Sequence, residues 1–417
     1  MKKNNAAFLL LLPLLIYIAN FCLCQQWSKT FLKLDRLFLY AFALYALLLL
    51  VVFCFLSRHI TKFVLLLYAF LMSFVLLEIS LWLFLGNSNF GKLDDIVLHH
   101  PNINRQGGLV KNLPGISGKF SFKTNQYRLR GAMEKTWEEY DVKILCVGGS
   151  TTECLYVEEE LSWPYLLQNT LQKKIDKSVY VGNAGKSGMY SVAHSYLLEH
   201  YPYLSKFECI VVLCGINDLG ALLRDNYEER SRELTENSFD MFYHYLSFFK
   251  LVKKIYIGTI VQDLEANWVL ARRKKRQRKL EMNTITVKPR RYQFALDRYK
   301  ADLRKIIDIC RKKNKKLVLA TQPVLWGENL SAYLEALLSA EVANGAYRSD
   351  ILFEMMKGYN DVMRQVCKEQ KILLVDLANK LPKDTSVFYD DCHFNVSGCQ
   401  KVSDILTEPI AGFLRSK

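Results

Sequence analysis

Four short polar segments of the sequence contain the residue types that acyl transfer requires. They are 148–152 (Gly-Gly-Ser-Thr-Thr), 183–188 (Asn-Ala-Gly-Lys-Ser-Gly), 215–218 (Gly-Ile-Asn-Asp) and 389–395 (Tyr-Asp-Asp-Cys-His-Phe-Asn). Each segment comes after an apolar run of the length expected for a buried strand. Because ligands bind at the carboxyl ends of parallel strands, we expect the four segments to meet at one edge of a sheet.

The chemistry that these segments could perform is the attack of a hydroxyl group on an ester carbonyl. Ser150 can supply the nucleophile and His393 the general base. Asp390, three residues before His393, can orient the imidazole ring and favour its protonated form. The backbone N–H groups of Ser150 and Gly188, together with the side-chain amide of Asn217, can bind the oxyanion that forms. This set needs no cofactor and no metal ion.

Each segment alone has a plainer explanation. Gly-Gly-Ser-Thr-Thr can be a phosphate-binding turn or an ordinary strand-to-helix turn, and Gly-x-Asn-Asp is common in polar turns. His194 and His200 are six residues apart, so they do not share the helix face that a zinc protease uses. The combination, in chain order and after successive strands, is what predicts a hydrolase site. Gly148 and Gly149 are then expected to let the chain turn so that Ser150 points out of the sheet edge.

The elements that must position these residues are predicted by alternating apolar runs and helical patterns. Buried strands are predicted at 142–147, 179–182, 209–214, 317–320 and 372–375. Helices are predicted at 163–174, 193–201, 292–312 and 354–369. Strands that alternate with helices indicate an α/β fold, in which helices cover both faces of a parallel sheet.

The motifs and their order resemble those of the SGNH hydrolase superfamily, the GDSL-like lipases and acylhydrolases, over about residues 142–413. Ser150 matches the family's nucleophile, and Asp390 and His393 match its Asp-x-x-His block. Gly188 and Asn217 match its two further oxyanion positions. The resemblance implies a flavodoxin-like three-layer α/β/α domain with a five-stranded parallel sheet. It also implies that the protein cleaves or transfers acyl groups of esters, including those of lipids and acetylated sugars.

One position departs from the family pattern, and three further segments refine the resemblance. Gly149 stands where the GDSL signature has aspartate, although that aspartate is not the acid of the catalytic triad. The segments 125–131 (Asn-Gln-Tyr-Arg-Leu-Arg-Gly), 321–323 (Thr-Gln-Pro) and 359–360 (Tyr-Asn) look like those of a membrane-anchored bacterial branch. The sequence around Ser150 lacks the Gly-x-Ser-x-Gly elbow of α/β-hydrolases.

The first 90 residues are predicted to form a transmembrane anchor. Three almost wholly apolar segments, 6–24, 37–56 and 63–85, are each about the 20 residues that a helix needs to cross a bilayer. The first could instead be a cleaved signal peptide, although its apolar stretch is long for one. The flanking basic residues nearly balance, so the positive-inside rule decides little. Three spans from an inside N-terminus, or two after cleavage, both place the remaining chain outside the cytoplasm.

After the anchor we predict a linker and approach segment at 91–140 and a hydrolase domain at 141–417, with a basic insertion at about 224–300. The insertion contains seven basic residues in nine at 271–279. Such a run can bind anionic lipid headgroups or nucleic acid. Nucleic acid is not favoured, because no aromatic stacking platform or known binding module accompanies the run. We interpret the insertion as an element that lies against the membrane or covers a cleft.

These observations lead to one principal hypothesis for function and two alternatives. The principal hypothesis is a membrane-anchored, extracytoplasmic serine esterase that cleaves O-acyl esters, such as O-acetyl esters, of envelope glycan or lipid. The first alternative is an O-acyltransferase with the same catalytic residues, in which a sugar hydroxyl replaces water and a membrane partner supplies the acyl group. The second is a membrane scaffold or glycan-binding protein with a silent hydrolase fold.

Overall fold

A computed structural model of the chain describes residues 67–69, 71–77, 97–107, 110–118, 120–225, 274–279, 281–340 and 345–415. The chain divides into two compact units, Met1–Phe84 and Leu85–Lys417. The predicted segments 6–24 and 37–56 lie outside the described residues, as does most of 63–85. The described part of 63–85 is helical, and most of its side chains are exposed. No helix within the described ranges is both long enough and apolar enough to cross a bilayer.

The centre of the second unit is a five-stranded sheet. The described residues of the whole unit contain the strands β1 (Asn104–Gln106), β2 (Val110–Leu113), β3 (Ile116–Gly118), β4 (Ser121–Lys123), β5 (Val142–Gly148), β6 (Val179–Asn183), β7 (Cys209–Leu213), β8 (Thr284–Ile285), β9 (Lys316–Ala320), β10 (Ala346–Tyr347) and β11 (Leu373–Val375). Strands β11, β9, β7, β5 and β6 lie side by side in that order, and all are parallel. The predicted parallel sheet is confirmed.

The five central strands consist mostly of apolar residues because both faces of the sheet are covered. Strand β7, with the sequence Cys-Ile-Val-Val-Leu, is buried at every residue, and so is β6. Branched side chains pack well on a pleated surface, and a strand that is buried on both faces shows no polar alternation. For this reason the sequence places each central strand to within one residue at either end.

Helices lie on both faces of the sheet. They are α1 (Ser150–Glu153), α2 (Trp163–Ile175), α3 (Ser191–His200), α4 (Ile216–Arg224), α5 (Tyr292–Lys312), α6 (Ala332–Glu335), α7 (Ser349–Gln370), α8 (Leu377–Lys380) and α9 (Val396–Arg415). The connection from β5 to β6 runs toward one edge of the sheet, whereas the later connections run toward the other. Because such crossovers are right-handed, α2 lies on one face and α3, α5 and α7 on the opposite face. The contacts of α9 with α2, and of α5 with α3 and α7, complete three layers.

Helix α9 is absent from the sequence prediction. Pro409 lies inside it, and a proline in a helix interior usually ends a helical pattern. The apolar spacing is nevertheless present, because Val402, Leu406 and Ile410 are buried at intervals of four residues. The helix begins three residues after His393 and packs against α2. It therefore fixes the end of the segment that carries the predicted base.

The segment predicted as a linker, 91–140, is packed into the domain over its described residues. Strand β1 pairs with β4 and β2 with β3, both antiparallel, and Leu98 and Leu129 are buried. Arg130 forms a bridge with Asn183 of β6. The glycine and asparagine content that suggested a linker comes instead from tight turns. One of these is at Gly115, whose φ of 65° suits glycine.

One other sequence-based expectation concerns the basic insertion. Within the basic run, residues 274–279 are helical, but most of the insertion lies outside the described residues and its role stays a prediction. Cys392 and Cys399, close enough in sequence to pair, are both free thiols. The Sγ atom of Cys399 lies 3.9 Å from that of Cys154 instead.

Arg130 fastens the 97–140 segment to the loop that follows α1. Its guanidinium donates hydrogen bonds to the backbone carbonyls of Glu153, Cys154 and Val157, at 2.6 Å for Cys154 and 2.5 Å for Val157. Only 5% of the Arg130 side chain is exposed. Since α1 begins with Ser150, the bonds of Arg130 hold the chain just beyond the predicted nucleophile.

Replacing Arg130 with Met should destabilise the domain, because three buried carbonyls would lose their donor. We expect the free energy of unfolding to decrease by about 3 kcal/mol or more. Urea unfolding of the full chain in detergent, followed by tryptophan fluorescence, measures this change. The control is Lys123→Met, which removes the same charge from an exposed position of β4 and should change stability by less than about 0.5 kcal/mol. Equal effects of the two substitutions would contradict the anchoring role of Arg130.

Candidate active site

Three of the predicted site residues form a continuous chain of hydrogen bonds. His393 Nε2 lies 2.7 Å from Ser150 Oγ. On the other side of the ring, His393 Nδ1 lies 2.8 Å from Oδ1 and 3.0 Å from Oδ2 of Asp390. Asp390 is fully buried and His393 is 7% exposed. The structure thus brings the predicted nucleophile, base and orienting acid together, although 243 residues separate Ser150 from His393.

The loop that carries His393 is shaped by the Asp390 carboxylate. Besides the imidazole, Asp390 Oδ1 accepts hydrogen bonds from the backbone N–H groups of Cys392 and His393, each at 3.0 Å. The Tyr389 ring stacks on the imidazole with 5.5 Å between centroids and 13° between planes. The side chain that holds the ring therefore also folds the loop, so ring and loop are fixed as one piece.

Asp391, the neighbouring acid, has a different role that the sequence did not reveal. Its carboxylate accepts hydrogen bonds from Trp326 Nε1 at 2.9 Å, from Ser339 N at 2.9 Å and from Ser339 Oγ at 2.7 Å. Its backbone carbonyl accepts from Leu325 N at 2.9 Å. Asp391 therefore ties the segment after β9 to the His393 loop. The sequence shows two adjacent acids, and only the structure separates their roles.

Gly148, the last residue of β5, is required by close packing at the sheet edge. A Cβ atom at Gly148 would lie 2.7 Å from the carbonyl oxygen of Leu213 on β7 and 2.1 Å from Thr152 Oγ1. The φ angle of Gly148 is not in the left-handed region. The expectation that Gly148 frees the turn is therefore wrong, because the absent side chain is what matters here.

Gly149 is likewise required by a neighbour and not by its backbone angles. It caps α1 with φ −87°, which lies outside the left-handed region that favours glycine. A Cβ atom at Gly149 would lie 2.2 Å from the Nδ2 atom of Asn217. The Asn217 amide therefore lies directly against the turn that begins with Ser150.

The two predicted oxyanion positions outside α1 lie next to each other. Asn217, in the first turn of α4, donates a hydrogen bond from Nδ2 to the backbone carbonyl of Met189 at 2.7 Å. Met189 follows Gly188, whose φ of 79° places it in the left-handed region. An amide nitrogen carries two hydrogens, so this bond leaves one for a developing oxyanion. Asn217 is thus held to the Gly188 turn while it faces Gly149.

A buried cluster around Glu153 was missed by the sequence analysis. The Glu153 carboxylate contacts His99 Nε2 at 2.9 Å and accepts a short hydrogen bond from Ser187 Oγ. Burial alone would raise the pKa of Glu153, but the bonds from His99 and Ser187 and the nearby Arg130 charge lower it overall. Because Ser187 precedes Gly188, the cluster anchors the Gly188 turn to α1. No local pattern marks these residues, since they come from three distant segments.

Asp390, Cys392 and His393 also place three atoms of metal-ligating types within 4.8 Å of one another. Both ring nitrogens of His393 and both carboxylate oxygens of Asp390 already lie within hydrogen-bonding distance of protein groups. The hydrogen-bonded chain to Ser150 therefore accounts for these residues.

Comparison with known families agrees with this geometry. The model of the GDSL-like lipase/acylhydrolase family matches residues 146–401, which include Ser150, Gly188, Asn217, Asp390 and His393. The chain belongs to this family. It is a serine ester hydrolase of the GDSL/SGNH type. A comparison with curated protein sequences found no match.

Solved structures of related hydrolases are similar to this GDSL-family chain. They include LAE5, an alpha/beta hydrolase enzyme from the metagenome of Lake Arreo, Spain (14% identity, 68% of this chain and 100% of that one, TM-score 0.39). Another is a lipolytic protein of the G-D-S-L family from Desulfitobacterium hafniense DCB-2 (12% identity, 64% and 99%, TM-score 0.36). A third is a catalytic mutant of an acetylxylan esterase from Geobacillus stearothermophilus (16% identity, 65% and 94%, TM-score 0.38).

Replacing Gly149 with Ala should reduce turnover without unfolding the protein. The new methyl group would displace the Asn217 amide from Met189, and loss of one oxyanion donor lowers kcat by about 10²–10³. Hydrolysis of p-nitrophenyl acetate by the full chain in detergent measures the loss. The matched control is Gly412→Ala in α9, where a Cβ atom meets nothing within 4 Å, so kcat should be unchanged. Wild-type kcat in Gly149→Ala would refute the proposed need for glycine at this position.

Proposed function

We propose that this protein is a membrane-anchored serine esterase that cleaves O-acyl esters of envelope glycan or lipid, such as O-acetyl esters, on the extracytoplasmic side. The observation that carries the catalytic part is the unbroken hydrogen-bonded chain from Asp390 through His393 to Ser150. Such a chain is what activates a serine hydroxyl for attack on an ester carbonyl.

In the proposed mechanism, Ser150 Oγ attacks the ester carbonyl carbon while His393 Nε2 takes the hydroxyl proton. The tetrahedral intermediate breaks its bond to the leaving alcohol, and the imidazolium returns the proton to that alcohol's oxygen. Water then attacks the acyl-serine by the same route, which releases the carboxylic acid and restores Ser150. Asp390 holds the Nδ1–H group throughout and stabilises the imidazolium without taking the proton.

The oxyanion of each tetrahedral intermediate would be bound by the backbone N–H groups of Ser150 and Gly188 and by the Asn217 amide. The Asn217 amide is fixed by its bond to Met189, and the Gly188 turn is fixed through Ser187 and Glu153. Donors that are held in place before the reaction need little reorganisation when negative charge develops. This preorganisation argues against a catalytically silent scaffold, since a scaffold would have no use for it.

The full chain should hydrolyse p-nitrophenyl acetate, and Ser150→Ala should abolish that turnover. Asp390→Asn should lower kcat by about 10³–10⁴, because the amide holds the imidazole in the wrong tautomer. The assay is run in detergent with and without an oligosaccharide acceptor. Acetate as the sole acetyl-containing product beside p-nitrophenol supports the esterase, whereas acetyl groups on the oligosaccharide would make the protein an O-acyltransferase. Turnover that survives in Ser150→Ala would exclude the proposed nucleophile.

The proposal of a membrane anchor is supported by the apolar segments 6–24, 37–56 and 63–85. In the described part of the third segment, apolar side chains are exposed around a helix; they are Leu71, Met72, Val75, Leu76 and Leu77, with 41–58% of their surface accessible. Exposed apolar residues of this density are unfavourable in water and are accommodated by lipid. The anchor would keep the catalytic domain close to envelope substrates.

Expression of the full chain in cells provides the test of the anchor and of its orientation. The protein should remain with membranes after an alkaline carbonate wash. A fluorophosphonate probe that cannot cross membranes should label Ser150 in cells whose cytoplasmic membrane is intact, and Ser150→Ala serves as the control for specific labelling. Release of the protein by carbonate would contradict the anchor. Labelling that requires lysis would place the catalytic domain in the cytoplasm.

A further inference from the structure

Asp218 is a buried acid that lies directly after the predicted oxyanion residue Asn217. Its side chain is 1% exposed. Asp218 Oδ1 accepts a hydrogen bond from the backbone N–H of Ser191 at 3.0 Å and lies 2.5 Å from Ser191 Oγ. Within the described residues, Asp218 Oδ2 has no hydrogen-bond partner. A carboxylate with one unsatisfied oxygen in such a buried place is costly, whereas a neutral carboxyl group is far less so.

The Ser191 hydroxyl touches two acids at once. Ser191 Oγ lies 2.5 Å from Asp218 Oδ1 and 2.8 Å from Asp302 Oδ2 on α5. A hydroxyl group has a single proton and can donate to only one of them. Both contacts are hydrogen bonds only if one of the two acids carries a proton. The acid that carries it donates to Ser191 Oγ, and Ser191 in turn donates to the other acid.

The environment assigns that proton to Asp218. Burial raises the pKa of Asp218 to about 7, and the negative charge of Asp302 adds to the effect, while the bonds from Ser191 oppose it. Asp302 is only half-buried, so it keeps its charge more easily. Asp218 therefore donates a hydrogen bond to Ser191 Oγ, and Ser191 donates one to Asp302. This chain of hydrogen bonds leads from the buried acid toward the protein surface.

Four other titratable side chains among the described residues of the surrounding elements carry no charge near neutral pH. Cys214 precedes α4, Tyr299 faces Asp218 from α5, and Tyr359 faces it from α7; burial raises the pKa of all three. On α3, burial lowers the pKa of His194 to about 3, so its ring is neutral. Asp302, in contrast, is a charged neighbour, and its negative charge raises the pKa of Asp218.

The bonds of Asp218 and Asn217 run between the same two segments. Asn217 holds the carbonyl of Met189, and Asp218 holds the N–H of Ser191, the first residue of α3. Together they clamp the turn that begins at Gly188 to the start of α4. Any change at Asp218 is therefore transmitted to both predicted oxyanion positions outside α1.

We propose that Asp218 is a positioning residue that supports the oxyanion site only as the neutral acid. When it loses its proton, a buried negative charge arises one residue from Asn217 and opposes the charge of the tetrahedral intermediate. Turnover then decreases at alkaline pH, although Ser150, His393 and Asp390 are unchanged. This inference rests on the proposed serine mechanism, so its test includes a measurement that does not depend on turnover.

The first arm measures kcat and KM of the full chain for p-nitrophenyl acetate between about pH 5 and 10. With a pKa of about 7 for Asp218, kcat should decrease by about tenfold per pH unit on the alkaline side. In Asp218→Asn the decrease should disappear while KM remains within about twofold. A decrease that persists in Asp218→Asn, with the same midpoint, would overturn the proposal.

A second variant, at Asp302, tests the proposal if Asp218→Asn does not fold. Asp302→Asn removes the charge that raises the pKa of Asp218, so the alkaline decrease should move to lower pH. The matched control is Asp308→Asn, an exposed acid on the same helix, which should leave the midpoint in place. An unmoved midpoint in Asp302→Asn would also contradict the proposal.

The second arm measures Tm against pH in the inactive Ser150→Ala chain, with and without Asp218→Asn. The pKa of Asp218 is raised from 3.8 to about 7 on folding, so between these values the folded chain holds a proton that the unfolded chain has lost. The stability from this proton is full below about pH 3.8 and is lost as the pH rises through about 7. Asp218→Asn should remove that loss. If the first arm shows no turnover but Tm depends on pH in this way, the esterase is refuted and the protonation of Asp218 is not. If the Tm profiles with and without Asp218→Asn are identical, the protonation of Asp218 is refuted.

Discussion

The pairing of β5 with β7 is the constraint on which the site depends. It sets Gly148 opposite Leu213 at the end of both strands, and no Cβ atom fits between them. The chain leaves β5 into α1 and leaves β7 into α4, so Ser150 and Asn217 emerge side by side from adjacent strands. Interiors are close-packed and transmit small displacements. A methyl group at Gly148 would therefore alter the distance between Ser150 and Asn217, the proposed nucleophile and oxyanion donor, although its nearest neighbours are Thr152 and Leu213.

Four buried acids surround this edge, and their different partners explain their different states. Asp390 and Asp391 each accept several hydrogen bonds from nearby donors, and Glu153 has His99, Ser187 and the charge of Arg130. Within the described residues, Asp218 makes its side-chain hydrogen bonds chiefly with Ser191, and the charge of Asp302 raises its pKa further. Since burial penalises a charge unless donors or cations offset the loss of water, the acids with rich donor sets can stay ionised. Asp218, which has the fewest hydrogen-bond donors of the four, retains its proton.

The parts that the sequence could predict are those in which a short pattern determines a structure. Buried strands follow from apolar runs, and the residues that form the Ser150, His393 and Asp390 chain follow from motifs whose order the family shares. The Glu153 cluster could not be predicted, because His99, Glu153 and Ser187 become neighbours only after folding. Helix α9 was hidden by Pro409, and the packed 97–140 segment by glycines that serve turns. The role of Gly149 was misjudged because its neighbour, Asn217, is 68 residues away in the sequence.

In the proposed mechanism, the Asn217 side chain serves both the fold and catalysis. One hydrogen of its amide is committed to the Met189 carbonyl, which makes Asn217 part of the scaffold that shapes the Gly188 turn. The same hydrogen bond fixes the position of Asn217 Nδ2, so the second hydrogen of the amide has a defined direction before substrate binds. A donor that must first be oriented contributes less to the transition state than one that is already in place. In the proposed mechanism, the hydrogen bond from Asn217 to Met189 therefore contributes to catalysis, although the Met189 carbonyl takes no part in the reaction.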